Sequence, residues 1–184
     1  MATSNTSHRS VISGEGAPTH SSVQNALNLL EGSDHLLQQI GTALVSVLAG
    51  GAKDVDTSRA RRLLYATDAS IYEMEPVAVT FPRDTRDVQA IVQVANTFGV
   101  PILPRGAGTS LAGQGVNHAI VIDFTRYMNQ VVEIDPSSAT ARVEPGLVVD
   151  ALNKQAKSHQ LMYPVDPSTK NRATIGGGIG NNSC

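Results

Sequence analysis

The amino-acid sequence predicts an α+β fold, and three observations carry that prediction. Short apolar runs of β type recur from residue 77 onward. Two stretches among them carry apolar residues at helical spacing instead. A turn of Asp135, Pro136, Ser137 and Ser138 joins two neighbouring runs as a hairpin. The resulting order, β-α-β followed by β-β-β-α, is that of an α+β domain.

The elements follow in order. Residues 1–33 are rich in Ser, Thr, Asn, Gly and His and read as a tail, mostly disordered. Residues 34–75 read as a helical N-terminal segment. Leu36, Leu37, Ile40, Leu44, Val47 and Leu48 recur at helical spacing, Ser33 or Asp34 supplies a cap, and Gly50 and Gly51 end the helix. A short helix is expected from Thr57 or Ser58 to Tyr65. Residues 77–81 form the first strand. Asp84 or Thr85 caps a helix whose face is Val88, Ile91, Val92, Ala95 and Phe98, and Gly99 stops it. Strands are expected at 100–103, 119–124, 131–134 and 139–143. A last helix is expected over 147–159, with Val148, Leu152 and Ala156 stacked. No internal repeat is present.

Composition narrows the function classes. Apolar content of 41% is that of a globular chain. Sixteen acids against fourteen bases leave a net charge of −2, without the basic patch a nucleic-acid partner needs. Aromatics are 4% of the chain, so no stacking platform for bases is expected. A single cysteine, Cys184, excludes an internal disulfide and reads as a packing residue. His8, His20, His35 and His159 show no metal-ligand spacing, so no metal site is expected. No transmembrane stretch and no basic, apolar leader are found, and a cytoplasmic location is the expectation.

The chemistry is concentrated in two glycine-rich words. The first, residues 104–115, reads Pro-Arg-Gly-Ala-Gly-Thr-Ser-Leu-Ala-Gly-Gln-Gly directly after an apolar run. Gly106, Gly108, Gly113 and Gly115 let the backbone turn and approach a ligand, and a run of free N–H groups there suits a pyrophosphate. The second, residues 174–182, reads Thr-Ile-Gly-Gly-Gly-Ile-Gly-Asn-Asn. A Rossmann loop needs G-x-G-x-x-G opening a helix. Here the third glycine is missing from that place, and no helix is expected before Asn117.

Together the two words resemble the FAD-binding domain of the vanillyl-alcohol-oxidase and p-cresol-methylhydroxylase (PCMH-type) superfamily. Within it, the similarity is to the FAD-linked D-2-hydroxyacid dehydrogenases of D-lactate dehydrogenase and glycolate oxidase type. The resemblance runs from about Pro76 to Cys184 and implies the N-terminal part of a PCMH-type domain. In that family the domain continues into further strands and a substrate domain, so a fragment or truncated product is expected, prone to aggregate or to be partly molten alone.

What the resemblance implies for the site is as follows. The first word wraps the FAD pyrophosphate through Pro104, Arg105, Gly106, Ala107, Gly108, Thr109 and Ser110, with Gly113 and Gln114 beside them. Pro145 and Gly146 approach the flavin. Pro164, Asp166 and Ser168 run alongside the cofactor. Thr174, Ile175, Gly176, Gly177, Asn181 and Asn182 sit beside flavin and pyrophosphate. Some members attach FAD through a histidine in the first word; Thr109 stands at that place, so the expected FAD is non-covalent. The implied reaction oxidises a small 2-hydroxy acid by hydride transfer to flavin N5. The implied base and substrate ligands lie beyond residue 184, so no catalytic residue is named. The electron acceptor stays open among quinone, cytochrome, electron-transfer flavoprotein and oxygen. Two alternatives stand beside this reading: the same cofactor domain serving another alcohol-type substrate, and a truncated, inactive FAD-binding fragment.

Overall fold

The computed structural model describes residues 34–183; the tail before it, with His8, His20 and Ser33, and Cys184 after it lie outside the described residues. Helix α1 (Asp34–Val47) leads through a short 3₁₀ turn, Gly51–Lys53, into β1 (Val55–Asp56) and α2 (Arg59–Leu64). Next come β2 (Ala78–Thr80), α3 (Thr85–Phe98), β3 (Ile102–Arg105) and β4 (Ile120–Asp123). A hairpin of β5 (Val131–Asp135) and β6 (Thr140–Val143), helix α4 (Val149–Ala156) and helix α5 (Ile175–Gly180) complete the chain.

Four strands form one sheet in the order β1-β2-β4-β3. β4 pairs in parallel with both β2 and β3, and β1 closes the β2 edge antiparallel. Because strand side chains alternate between faces, Ala78, Ile120 and Ile122 pack with α1 and α3 on one side, against Ile40, Leu44 and Ile91. Val79 and Val121 point the other way and meet Phe81, Tyr65, Leu103 and Tyr127. Thr80 is buried and donates its hydroxyl proton to the Val121 carbonyl at 2.7 Å, which satisfies it within the sheet.

Helix α3 shows how local chemistry sets the ends. The Asp84 carboxylate accepts from the N–H groups of Arg86 and Asp87, and Gly99 stops the helix at φ +64°. The buried face is Asp87, Ile91, Val94 and Ala95, whereas Val92, expected on it, is exposed. Asp87 is spent on a staple: it accepts from Ala49 N–H at 3.0 Å and Arg83 N–H at 2.8 Å, which ties the end of α1 to the start of α3. A second staple joins Arg83 to the fully buried Asp54 at 2.6 Å. Residues 34–56 therefore share one core with the sheet that follows.

The other differences are small. Val47 is exposed and the α1 face is Ile40, Gly41 and Leu44. The last predicted helix begins at Val149, with Val148 as an extended cap, so the buried row is Val149, Leu152 and Ala156. Residues 157–159 continue it as a 3₁₀ turn. Helix α5 and strand β1 were not expected from the sequence pattern.

Candidate functional site

Strand β3 delivers the backbone to Arg105, and residues 106–115 then fold over as a loop before β4. Gly108 sits at φ +65°, a region side chains avoid. A Cβ on Gly106 would collide with Thr174 Oγ1, so the first glycine word lies directly against the second. Thr174 caps α5 by accepting from the Gly177 N–H at 3.3 Å. It also bridges to Val148, and Gly176 donates to the Pro145 carbonyl at 2.9 Å.

The two words form opposite walls of a cleft of about 750 Å³. Leu103, Phe124, Val149 and Ala173 supply apolar lining. A third wall is the segment 161–169, which has no regular secondary structure, ends in a turn and alternates in exposure. Asn153 of α4 pins this segment by accepting from the Tyr163 N–H at 2.7 Å.

Of the residues expected from the sequence, Pro104, Arg105, Gly106, Ala107, Gly108, Thr109, Ser110, Gln114, Pro145, Thr174, Ile175, Gly176, Gly177 and Asn181 line this cleft. Gly113, Gly146, Pro164, Asp166, Ser168 and Asn182 do not. The third wall presents Tyr163, Val165, Pro167 and Thr169 instead, the opposite parity to Pro164, Asp166 and Ser168. Asp166 pairs at the surface with Lys170 at 2.8 Å. Gly146 is a packing position: a Cβ there would strike the carbonyl oxygens of Phe124 and Met128. His118, near the loop, is bonded through Nδ1 to the Glu75 carbonyl at 2.8 Å.

The donor set fits a phosphate-bearing ligand. The backbone N–H groups of Gly106, Ala107, Gly108, Thr109, Ser110 and Leu111 have no acceptor among the described residues. An array of free N–H groups in a turn is a site for anionic oxygens. In the second wall most amides are already bonded, so the glycines there act as a surface with no side chain in the way.

Charge beside the cleft is arranged around Arg105. Its Nη1 donates to the carbonyls of Tyr65 at 3.1 Å and Gly115 at 2.6 Å, and its Nη2 to that of Thr67 at 2.7 Å. The guanidinium also lies 5.2 Å from the Tyr65 ring centroid. Burial lowers its pKa from the usual value, opposed by Tyr65, Asp68 and Asp123. Burial and the 2.6 Å hydrogen bond to Asp123 push the Tyr65 phenol well above its usual range. For Asp68, burial acts upward, but hydrogen bonds from Ser70 and from the Gly115 N–H outweigh it, so its carboxyl titrates below the usual carboxylate value. No three His, Cys, Asp or Glu side chains come together as metal ligands among the described residues. No helix among them is long and apolar enough to cross a membrane.

A sheet with α1 and α3 on one face, followed by a hairpin and two short helices around a glycine-lined cleft with free amides, makes a domain suited to a phosphate-bearing ligand. The chain belongs to the FAD binding domain family, whose model matches residues 76–184. Its cofactor is FAD. The D-2-hydroxyglutarate dehydrogenase of Escherichia coli K12 is 42% identical over 133 residues, which is 71% of this chain and 13% of the relative. The glycolate oxidase subunit GlcD of Bacillus subtilis 168 is 39% identical over 140 residues, 74% of this chain and 30% of the relative. Among solved structures, p-cresol methylhydroxylase with substrate bound superposes with a TM-score of 0.66 at 21% identity, covering 82% of this chain and 30% of the other. An alkyldihydroxyacetonephosphate synthase superposes with a TM-score of 0.67 at 20% identity, covering 80% and 29%. These two similarities show the PCMH-type α+β fold. The chain spans less than a third of the length of each of these relatives.

Proposed function

We propose that this chain is the FAD-binding portion of a flavin-dependent oxidoreductase that oxidises a small 2-hydroxy acid. The observation that carries the cofactor half is the run of unpaired N–H groups from Gly106 to Leu111, facing a second glycine word across the cleft. The substrate half is supported by the names of the relatives, a D-2-hydroxyglutarate dehydrogenase and a glycolate oxidase subunit. Bound FAD supplies the hydride acceptor.

This chain's residues bind and orient. The amides of 106–111 hold the pyrophosphate. Thr174, Ile175, Gly176, Gly177 and Asn181 form the facing wall. Tyr163, Val165, Pro167 and Thr169 close the third side and exclude water. Thr109 carries no imidazole, so this loop holds the cofactor without a histidyl bond.

The test is gel filtration of the purified 184-residue chain with FAD. Flavin that co-elutes and is released by mild denaturation supports the reading. A well-folded chain that elutes without flavin overturns it.

A further inference from the structure

We infer that Arg105 and Asp68 are a positioning pair that pre-shapes the 106–115 loop, and that neither works by touching the ligand. The inference rests on the FAD reading for its ligand, but its geometry does not. Gly115, where the loop ends, is gripped at both of its backbone polar groups. Its carbonyl accepts from Arg105 Nη1 at 2.6 Å, and its N–H donates to Asp68 Oδ2 at 3.0 Å. The start of the loop is held from the same segment: the Ala69 N–H donates to the Gly108 carbonyl at 3.1 Å.

The Arg105 guanidinium is committed largely to the backbone of its own chain. Three of its donations go to the carbonyls of Tyr65, Thr67 and Gly115, of the five N–H donors a guanidinium owns. Gly108 takes φ +65°, and a Cβ there would also lie 2.6 Å from Arg105 Nη2, so a side chain would push the guanidinium aside. Asp68 is held in its turn by the Ser70 N–H at 2.8 Å. Residues 65–70 precede the matched domain, which begins at residue 76. The loop is thus shaped partly by residues before that boundary.

Asp68 gives the inference a sign. A carboxylate beside a loop that takes a pyrophosphate repels it, so electrostatics alone makes Asp68→Asn bind FAD more tightly. Positioning makes the same variant bind more weakly, because the Gly115 N–H loses a charged acceptor. Arg105 separates the readings in the same way. Arg105→Lys keeps the charge and preserves a direct phosphate contact, but one ammonium cannot reproduce the planar fork across three carbonyls.

The experiment measures FAD affinity and amide hydrogen exchange for the full chain and for Asp68→Asn, Arg105→Lys and Arg105→Met. Expected are a loss of affinity of about tenfold or more in all three, as for hydrogen bonds to charged groups, and faster exchange at Ala69 and Gly115 without FAD. Tighter or unchanged binding in Asp68→Asn, or wild-type affinity in Arg105→Lys, overturns the inference. Should the parent chain bind no flavin, the functional proposal fails alone. Exchange at Ala69 and Gly115 then still decides: unchanged rates in the variants overturn the clamp, and faster rates support it.

Discussion

The two halves of the described chain are built to different standards. The first, through β4, buries its two inner strands, β2 and β4, on both faces, and Ile40, Leu44, Ile91, Ile120 and Ile122 are almost wholly inaccessible. The second, from β5 onward, is a hairpin whose residues are mostly half-buried or exposed, over a small core of Leu147, Val149, Leu152 and Ile175. The cleft lies where the two meet, at Gly106 against Thr174. A rigid half thus presents the loop, and a lighter half presents the facing wall. Stability and site closure are therefore separable properties.

The seam between the halves is where the largest effect is expected. Gly146→Ala places a methyl group on the carbonyls of Phe124 and Met128, and overpacking of this kind destabilises by about 3 kcal/mol. A urea titration should show the second half unfolding before the first. Coincident transitions with no loss of stability would refute the seam.

Truncation inside each half sharpens the contrast. Ile120→Ala removes a side chain buried between both layers and should destabilise the whole fold by about 3 kcal/mol. Leu152→Ala, in the small core, should loosen mainly residues 147–183. Amide exchange resolved by residue distinguishes global from local loss; equal loss across both halves for Leu152→Ala would contradict the difference described.

A smaller effect is expected at the cap of α5. Thr174→Val keeps the shape but removes the acceptor of the Gly177 N–H, at about 1 kcal/mol. Residues 175–180 should exchange faster while β2 and β4 do not change.

The smallest effect is a pH dependence of the hairpin turn. Asp135 accepts from the hydroxyls of Ser137 and Ser138 and from the Ser137 N–H, which lowers its pKa from 3.8 to about 2. A depressed carboxyl stabilises the fold fully above its unfolded value and ceases to do so as pH falls through the folded one. The Ser137 amide resonance reports the folded state, so it should be constant above about pH 4 and move with a midpoint near 2, while the loss of stability spreads between the unfolded and the folded value. A midpoint near 3.8 would show the turn bonds to be absent in solution.

Much of this architecture was legible because backbone demands leave marks. The Asp84 cap and the Gly99 stop bracket α3 as expected, and the glycine words stand on the walls of one cleft. Other features left no mark. Helix α5 is Ile-Gly-Gly-Gly-Ile-Gly, among the poorest helix formers, and holds its shape through the Thr174 cap and the pairing with Pro145 and Leu147. The parity of 161–169 depends on Asn153, ten residues before Tyr163, and no periodicity announces it. The partners of Arg105 are carbonyls, which every residue owns, so no side-chain pattern pointed to Tyr65, Thr67 or Gly115. Strand β1 is two residues long, too short for an alternation to register.

The order β1-β2-β4-β3 has a consequence for the time course of folding. The central strand is the last of its sheet to be synthesised. β2 and β3 flank a gap until Ile120–Asp123 exists to fill it, because each pairs with β4 and neither with the other. Helix α3 can nucleate early, since its internal hydrogen bonds are local and both ends are capped. The sheet must wait, and links such as Tyr65 to Asp123, 58 residues apart, close later still. On a ribosome the sheet of this half can be completed only after residue 123 has cleared the tunnel.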